Sequence, residues 1–344
     1  MRARLGRILA WTITLAALAW VFWKTPIGEV WASVGRAAPW TLPAVLVAVA
    51  LVYLADAFAM WKTFDWFLAK LPFRDVLIVR GATYLLAAIN YSVGQGAIVY
   101  FVHRARGVPV RRGVATVLLI MGTNVLVLLT LVTGGLLLGF QRPTGLLPVV
   151  AAAWVGLVVY ATLVTLRPRW LASRAIFDVL LSAGLGGHLK AMAVRLPHIA
   201  ALIAFNLTAL RGFGVQVPLG TAVVALPVVM FIAVLPISVQ GLGTTQALMI
   251  LFFGRYAPAH AGEAVVVGAS LTAQAVALSF QVLTGVICMR TRTARGLGDV
   301  ARQGDGLTAD VPNSTDALTD VTDVADSSSE KKASINNPEG PAGV

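Results

Sequence analysis

Six apolar stretches, at residues 5–23, 41–60, 114–139, 146–166, 198–217 and 264–288, are each long enough to cross a hydrocarbon core, and they leave this chain few folds. A bilayer core about 30 Å thick calls for roughly 20 apolar residues per helix. No backbone polar group can stay unpaired at that depth, so helices are expected throughout. Composition agrees: 58% of the 344 residues are hydrophobic, 12% are charged and the mean hydropathy is +0.81, beyond the range of soluble domains. The expected fold class is all-α, a polytopic membrane protein with six full spans and two re-entrant broken-helix hairpins in an inverted repeat.

The hairpins are read from two further apolar regions, 76–102 and 219–253, which are interrupted by similar motifs. Asn90 to Gly96 reads Asn-Tyr-Ser-Val-Gly-Gln-Gly, and Pro236 to Gly243 reads Pro-Ile-Ser-Val-Gln-Gly-Leu-Gly. Gly94, Gly96, Pro236, Gly241 and Gly243 are the expected breaks. Broken helices at membrane depth are tolerated where they lie in protein or line a cavity. Lys62, Lys70 and Arg74 precede the first region and Arg104, Arg106, Arg111 and Arg112 follow it, so positive charge holds both its ends in the cytoplasm. The second region has both ends outside on the same rule. Opposed hairpins of this kind are the mark of an inverted repeat with a substrate site near the midplane. The competing reading, two kinked full spans, places one basic flank of the first region outside.

Arg2, Arg4, Arg7, the 167–195 loop and residues 290–295 carry the remaining basic clusters, which places both termini in the cytoplasm. The N-terminal run resembles a signal peptide at Ala17-Leu-Ala19. It continues through Trp20 and Trp23, however, and with Trp31 these residues read as interfacial anchors of an uncleaved first span. Beyond the 1–295 membrane domain, residues 296–344 hold nine of the fifteen acids and are rich in Ser and Thr, the composition of a disordered cytoplasmic tail. The body keeps 24 basic and six acidic residues, a surface that attracts an anionic membrane.

Ionisable residues inside spans cost roughly 2.5–3.5 kcal/mol on insertion scales, so the few present are informative. Asp56, Arg80 and Arg211 are the candidates. An arginine fork suits phosphate; an internal pair of Asp56 with either arginine, or snorkelling, is the structural alternative. Half-helices starting at Ala97 and Thr244 offer N–H groups to an anion, with Thr244 and Thr245 as caps for the second. Asn90, Gln95, Ser238, Gln240 and Gln246 complete a polar pocket. Asn124, Asn206, Gln274 and Gln281 read as interhelical hydrogen-bonding groups. Cys288 stands alone, and the four histidines lack metal-ligand spacing. Neither a Walker loop nor a nucleophile elbow is present, so the expectation is a non-enzyme without metal, cofactor or nucleic-acid partner.

The Asn90–Gly96 motif leading to His103-Arg-Ala-Arg-Gly107, then Leu235-Pro236 and Gly241-Leu-Gly243, resembles the lysylphosphatidylglycerol synthase transmembrane-region family over roughly residues 5–292. The resemblance implies a membrane domain that binds or translocates lipid, without lysyl transfer, in a bacterial or archaeal cell membrane. Many members have an acid after the first glycine motif and a Glu after the second. Here Ala97 and Gln246 stand there, which argues against a cationic aminoacyl headgroup. The leading expectation is a flippase-like transporter of a phospholipid or polyprenyl-phosphate-linked lipid. The alternatives are an ion-coupled small-solute transporter that uses Asp56, and a non-transporting partner of a lipid-modifying or glycosyltransfer enzyme that docks through the tail and the basic 167–197 loop. Oligomeric state is not legible.

Overall fold

The computed structural model describes residues 2–89, 91–139, 146–234, 241–259 and 262–291, and every regular element among them is helical. The expected break at Pro236, the pocket positions Asn90, Ser238 and Gln240, and the tail from 296 onward lie outside the described residues. Helices α1 (Arg2–Lys24) and α2 (Ile27–Gly35) precede a set of four: α3 (Thr41–Phe67), α4 (Phe73–Ile89), α5 (Tyr91–Arg106) and α6 (Val110–Leu137). Helices α7 (Leu146–Leu166) and α8 (Arg169–Ala172) lead to a second set in the same order of long, short, short and long: α9 (Asp178–Gly212), α10 (Leu219–Val234), α11 (Thr244–Phe253) and α12 (Ala264–Met289). The protein is an all-α polytopic membrane protein.

Among the described residues, α3, α6, α7, α9 and α12 are long and apolar enough to cross a membrane. The expected 5–23 span falls in α1, whose described apolar part is Thr14–Lys24. The expected boundary at 198 is corrected. Residues 178–197, read from the sequence as part of a basic loop, form the first half of the 35-residue α9. Gly184, Gly186, Gly187, Arg195 and Pro197 gave that stretch its loop-like composition. Instead Gly187 lets α9 approach Phe67 of α3, and Pro197 sits within the helix. Gly184 kinks α9 with φ 58° and ψ −178°. The carbonyl of Gly184 can only accept, so His188 Nδ1 donates to it at 2.7 Å, and the ring's Nε2 then accepts from the Tyr160 hydroxyl, also at 2.7 Å.

Contacts along the helices fix their directions. Thr41 meets Gly212, Asp56 meets Arg195 and Phe67 meets Gly187, so α3 and α9 run antiparallel. Arg112 lies 4.0 Å from Asp178, and Asn124 bonds Arg195, so α6 runs parallel to α9. Leu85 faces Gly285 and Gly81 faces Cys288, which sets α4 antiparallel to α12. One end of the bundle therefore gathers Lys70, Arg74, Arg106, Arg111, Arg112, Arg169 and Arg290. The other gathers Lys24 and Glu263, which pair at 2.8 Å, with Trp23 and Trp31 exposed beside them.

Both interrupted regions reverse the chain. A Cβ added at Gly94 would come within 2.6 Å of the Ala87 Cβ. In one continuous helix, residues seven apart are separated by about 10 Å along the axis. Gly241 likewise sits against Ala233, its built Cβ 3.3 Å from the Ala233 Cβ. Kinked continuous helices give neither contact. The α4–α5 hairpin opens to the basic end and the α10–α11 hairpin to the opposite end. Packing is reciprocal: α12 lies on α4, and α6 lies on α10, so the last helix of each set covers the first arm of the other set's hairpin.

The expected helix start at Ala97 is corrected as well. Helix α5 starts at Tyr91, and Gly94 and Gly96 lie within it. These two glycines differ in role, and substitution separates them. Gly94→Ala should cost about 1–3 kcal/mol, because the new methyl meets backbone as well as the Ala87 side chain. Gly96→Ala meets nothing within 4 Å and should add about 0.5–1 kcal/mol through helix propensity. Thermal unfolding of the two variants in detergent should therefore show shifts of opposite sign.

Candidate functional site

Roughly halfway along α3, Asp56 is buried to 1% exposure inside the bundle. A carboxylate at such depth needs cationic or hydrogen-bonding partners, and two elements from different sets supply them. From α4, Arg80 donates its Nε–H to Asp56 Oδ2. From α9, Arg195 donates from Nη1 to Asp56 Oδ1 at 2.7 Å. The Tyr84 hydroxyl donates to Oδ2 at 3.2 Å, and its ring also receives the Arg80 guanidinium at 4.8 Å. His198, one turn beyond Arg195, holds Nε2 3.9 Å from Oδ1. Asn124 of α6 accepts from Arg195 Nε at 3.3 Å.

Asp56, Arg80, Arg195 and Asn124 line a cavity of about 270 Å³ whose walls come from α3, α4, α5, α6, α9 and α10. Gln95 of α5 lines it too and makes no hydrogen bond among the described residues. Arg195, itself 8% exposed, uses Nε and Nη1 but has no partner for Nη2 among the described residues. Asp56 offsets only one of the two guanidinium charges, so the three side chains together carry one net positive charge. The cavity thus has a cationic, hydrogen-bond-donating wall. Apolar side chains complete the lining, among them Val125 of α6 and Phe231 of α10, which are 42% and 38% exposed.

The family model for the lysylphosphatidylglycerol synthase TM region matches residues 7–285. The chain belongs to that family. No curated protein matches it. In this member of the lysylphosphatidylglycerol synthase TM-region family, three sequence-predicted residues, Asp56, Arg80 and Gln95, converge on one cavity.

Two predicted residues are placed elsewhere. Arg211 is exposed near the end of α9, about 24 Å along the helix from Arg195. Gln246 is fully buried and engaged. Its Oε1 accepts the Gly243 N–H at 2.7 Å, and its Nε2 donates to Ser270 at 3.2 Å and to Gln274 at 2.9 Å. It caps α11 and ties the second hairpin to α12. Thr244 bonds back to the Gly241 carbonyl at 3.0 Å. Of the other expected interhelical groups, Asn206 bonds within α9 to the Leu202 carbonyl, and Gln281 makes no hydrogen bond among the described residues.

Arg195 is the site residue that the reading of candidate ions missed, whereas Asn124 makes the interhelical bond expected of it. Arg195 was counted with a basic loop, and only its helical spacing from His198, three residues on, and its match in depth to Asp56 mark it as internal. Because Asp56 holds two guanidiniums, Asp56→Asn should destabilise the protein by about 3–5 kcal/mol, the usual cost of removing one partner from a buried pair. The double variant Asp56→Asn/Arg195→Gln should recover part of that loss, seen as a higher unfolding midpoint than Asp56→Asn alone.

Proposed function

We propose that this protein moves a lipid with a phosphate-containing headgroup between leaflets, without aminoacyl transfer. The observation that carries the reading is one cavity whose lining joins a net-positive, donor-rich cluster to exposed apolar side chains. A phosphate needs charge-assisted donors when it leaves water, and Arg195 Nη2, Arg80 and the Gln95 amide supply them. Acyl chains need apolar surroundings, and the Val125 and Phe231 side of the cavity supplies them. A soluble polar solute gains nothing from such an apolar side. An ion-coupling role for Asp56 fits less well, since both of its oxygens are held by arginines.

In this reading the two hairpins are re-entrant from opposite faces and form an inverted repeat around the site, an arrangement that supports alternating access. The end carrying most of the arginines faces the cytoplasm, with the N- and C-termini there, in the cell membrane of a bacterium or archaeon. The substrate is an anionic phospholipid or a polyprenyl-phosphate-linked lipid. A net-positive cavity disfavours a lysyl headgroup.

Reconstitution into vesicles with fluorescent phosphatidylglycerol, phosphatidylcholine or lysylphosphatidylglycerol tests this, with dithionite added outside. The inner-leaflet pool should be bleached faster than in protein-free vesicles, fastest for phosphatidylglycerol and slowest for the lysyl lipid. Arg195→Lys keeps the charge but loses the planar fork and should slow bleaching about tenfold, since one bidentate contact is worth roughly 1.4 kcal/mol or more. Bleaching no faster than the protein-free control for all three lipids would overturn the reading.

A further inference from the structure

A second cavity, of about 370 Å³, lies apart from the central one, where α7 ends and α9 begins. Its walls are apolar: Leu163 and Val164 of α7, Leu171 of α8, Phe177, and Leu180 and Leu181 of α9. Leu171, Leu181 and Val164 are buried around it, while Trp170 on its rim is 62% exposed. Arg174 lines the cavity as well.

The segment that supplies Trp170, Leu171 and Arg174 to the cavity is one-sided in charge. Between Leu166 and Phe177 stand Arg167, Arg169 and Arg174, with no acid. All three are exposed, and none has an ion pair among the described residues. The nearest acid in sequence, Asp178, lies 4.0 Å from Arg112 of α6. Arg167 adopts a left-handed backbone with φ 47° directly before Pro168. This is a turn that ends α7 and lays α8 across the bundle end, with Trp170 beside the arginines. An amphipathic tryptophan at a helix end marks the headgroup depth of a bilayer.

An apolar slot lined by Arg174 and Trp170, beside arginines with no ion pair among the described residues, matches one class of molecule by charge and shape. We propose that this cavity is a binding site for an anionic glycerophospholipid distinct from the transport cavity. One acyl chain enters the slot between α7 and α9, and the phosphate is held by Arg174 together with Arg169 and Arg167. Basic pockets between membrane helices recognise anionic headgroups in this way, and Arg presents a bidentate fork to phosphate. The site borders the Gly184 kink of α9, whose carbonyl accepts from His188 Nδ1, while the Tyr160 hydroxyl bonds the other nitrogen of that ring. Tyr160 also lines the slot. A seated lipid therefore braces the half of α9 that leads to Arg195.

The test uses the full-length protein in mild detergent, with phosphatidylglycerol or phosphatidylcholine as titrated probes and native mass spectrometry counting bound lipid. Phosphatidylglycerol should be retained in preference to phosphatidylcholine, and each of Arg169→Gln and Arg174→Gln should weaken that retention about fivefold. Arg290→Gln, at the same end but away from the slot, should leave it unchanged, whereas Arg195→Lys should remove only a copy held in the central cavity. Equal weakening in Arg290→Gln would mean diffuse attraction and overturn the site, and weakening only in Arg195→Lys would assign the bound lipid to the central cavity. Both Arg169 and Arg174 are exposed, so these variants are expected to fold, and an unchanged unfolding midpoint confirms it. Retention that ignores the headgroup would also overturn the proposal.

Discussion

One buried carboxylate organises the interior of this protein. Asp56 receives Arg80 from one hairpin and Arg195 from the first long helix of the other set. An isolated charge at that depth is prohibitively costly, and a one-to-one pair would leave a neutral and inert junction. Two arginines on one carboxylate give a different result. The cluster is held together by strong charge-assisted bonds yet carries one net positive charge. The ion pairs that join the halves thus also create a demand for an anion at the place where they meet.

Close backbone approach lets the helices reach that arrangement. Gly81 and Gly285 bring α4 and α12 together, with Leu85 stacked on Gly285, and Gly94 closes the first hairpin on Ala87. Within a membrane the hydrophobic effect gives little net drive between helices, so tight packing at small residues and polar links must supply cohesion. Gln246 provides such a link, capping α11 through Gly243 and reaching α12 through Ser270 and Gln274. The positive φ values at Gly241 and Gly243, 71° and 78°, are open to glycine at little cost.

Most of the fold was legible in the sequence because apolar length and charge placement obey a few strong rules. The spans at 41–60, 114–139, 146–166 and 264–288 correspond to α3, α6, α7 and α12, and α4 and α10 each end beside one of the two glycine motifs. Less legible was the stretch 178–197, where three glycines, a proline and two cations look like a loop. There tertiary contacts overrode local signals: Phe67 packs on Gly187, and Asp56 compensates Arg195. The same effect split the candidate site. Asp56 and Arg80 were found because a charge in an apolar run is conspicuous, whereas Arg195 was hidden by the basic residues before it. Arg211 stood out for the same reason as Arg80 but sits at a helix end, where an arginine needs no internal partner. Gln246 was correctly marked as polar and buried. Whether such a residue faces a cavity or caps a helix depends on Gly243 and Ser270 across space, which spacing alone does not reveal.

The reciprocal packing gives the cavity a property that neither half has alone. Arg80 and Gln95 come from the first hairpin, Arg195 from α9, Phe231 from the second hairpin, and Val125 and Asn124 from α6. Because α6 rests on α10 and α12 rests on α4, a shift of one hairpin is transmitted to the long helix of the other set. Val125 and Phe231 sit on α6 and α10, while the arginines sit on α4 and α9. The Asp56 cluster is pinned by ion pairs between α3, α4 and α9, and Asn124 ties α6 to it through Arg195. The charged side of the cavity is thus held by directional bonds that fix its geometry, whereas its apolar side rests on the packing of α6 against α10, which fixes distance but not direction.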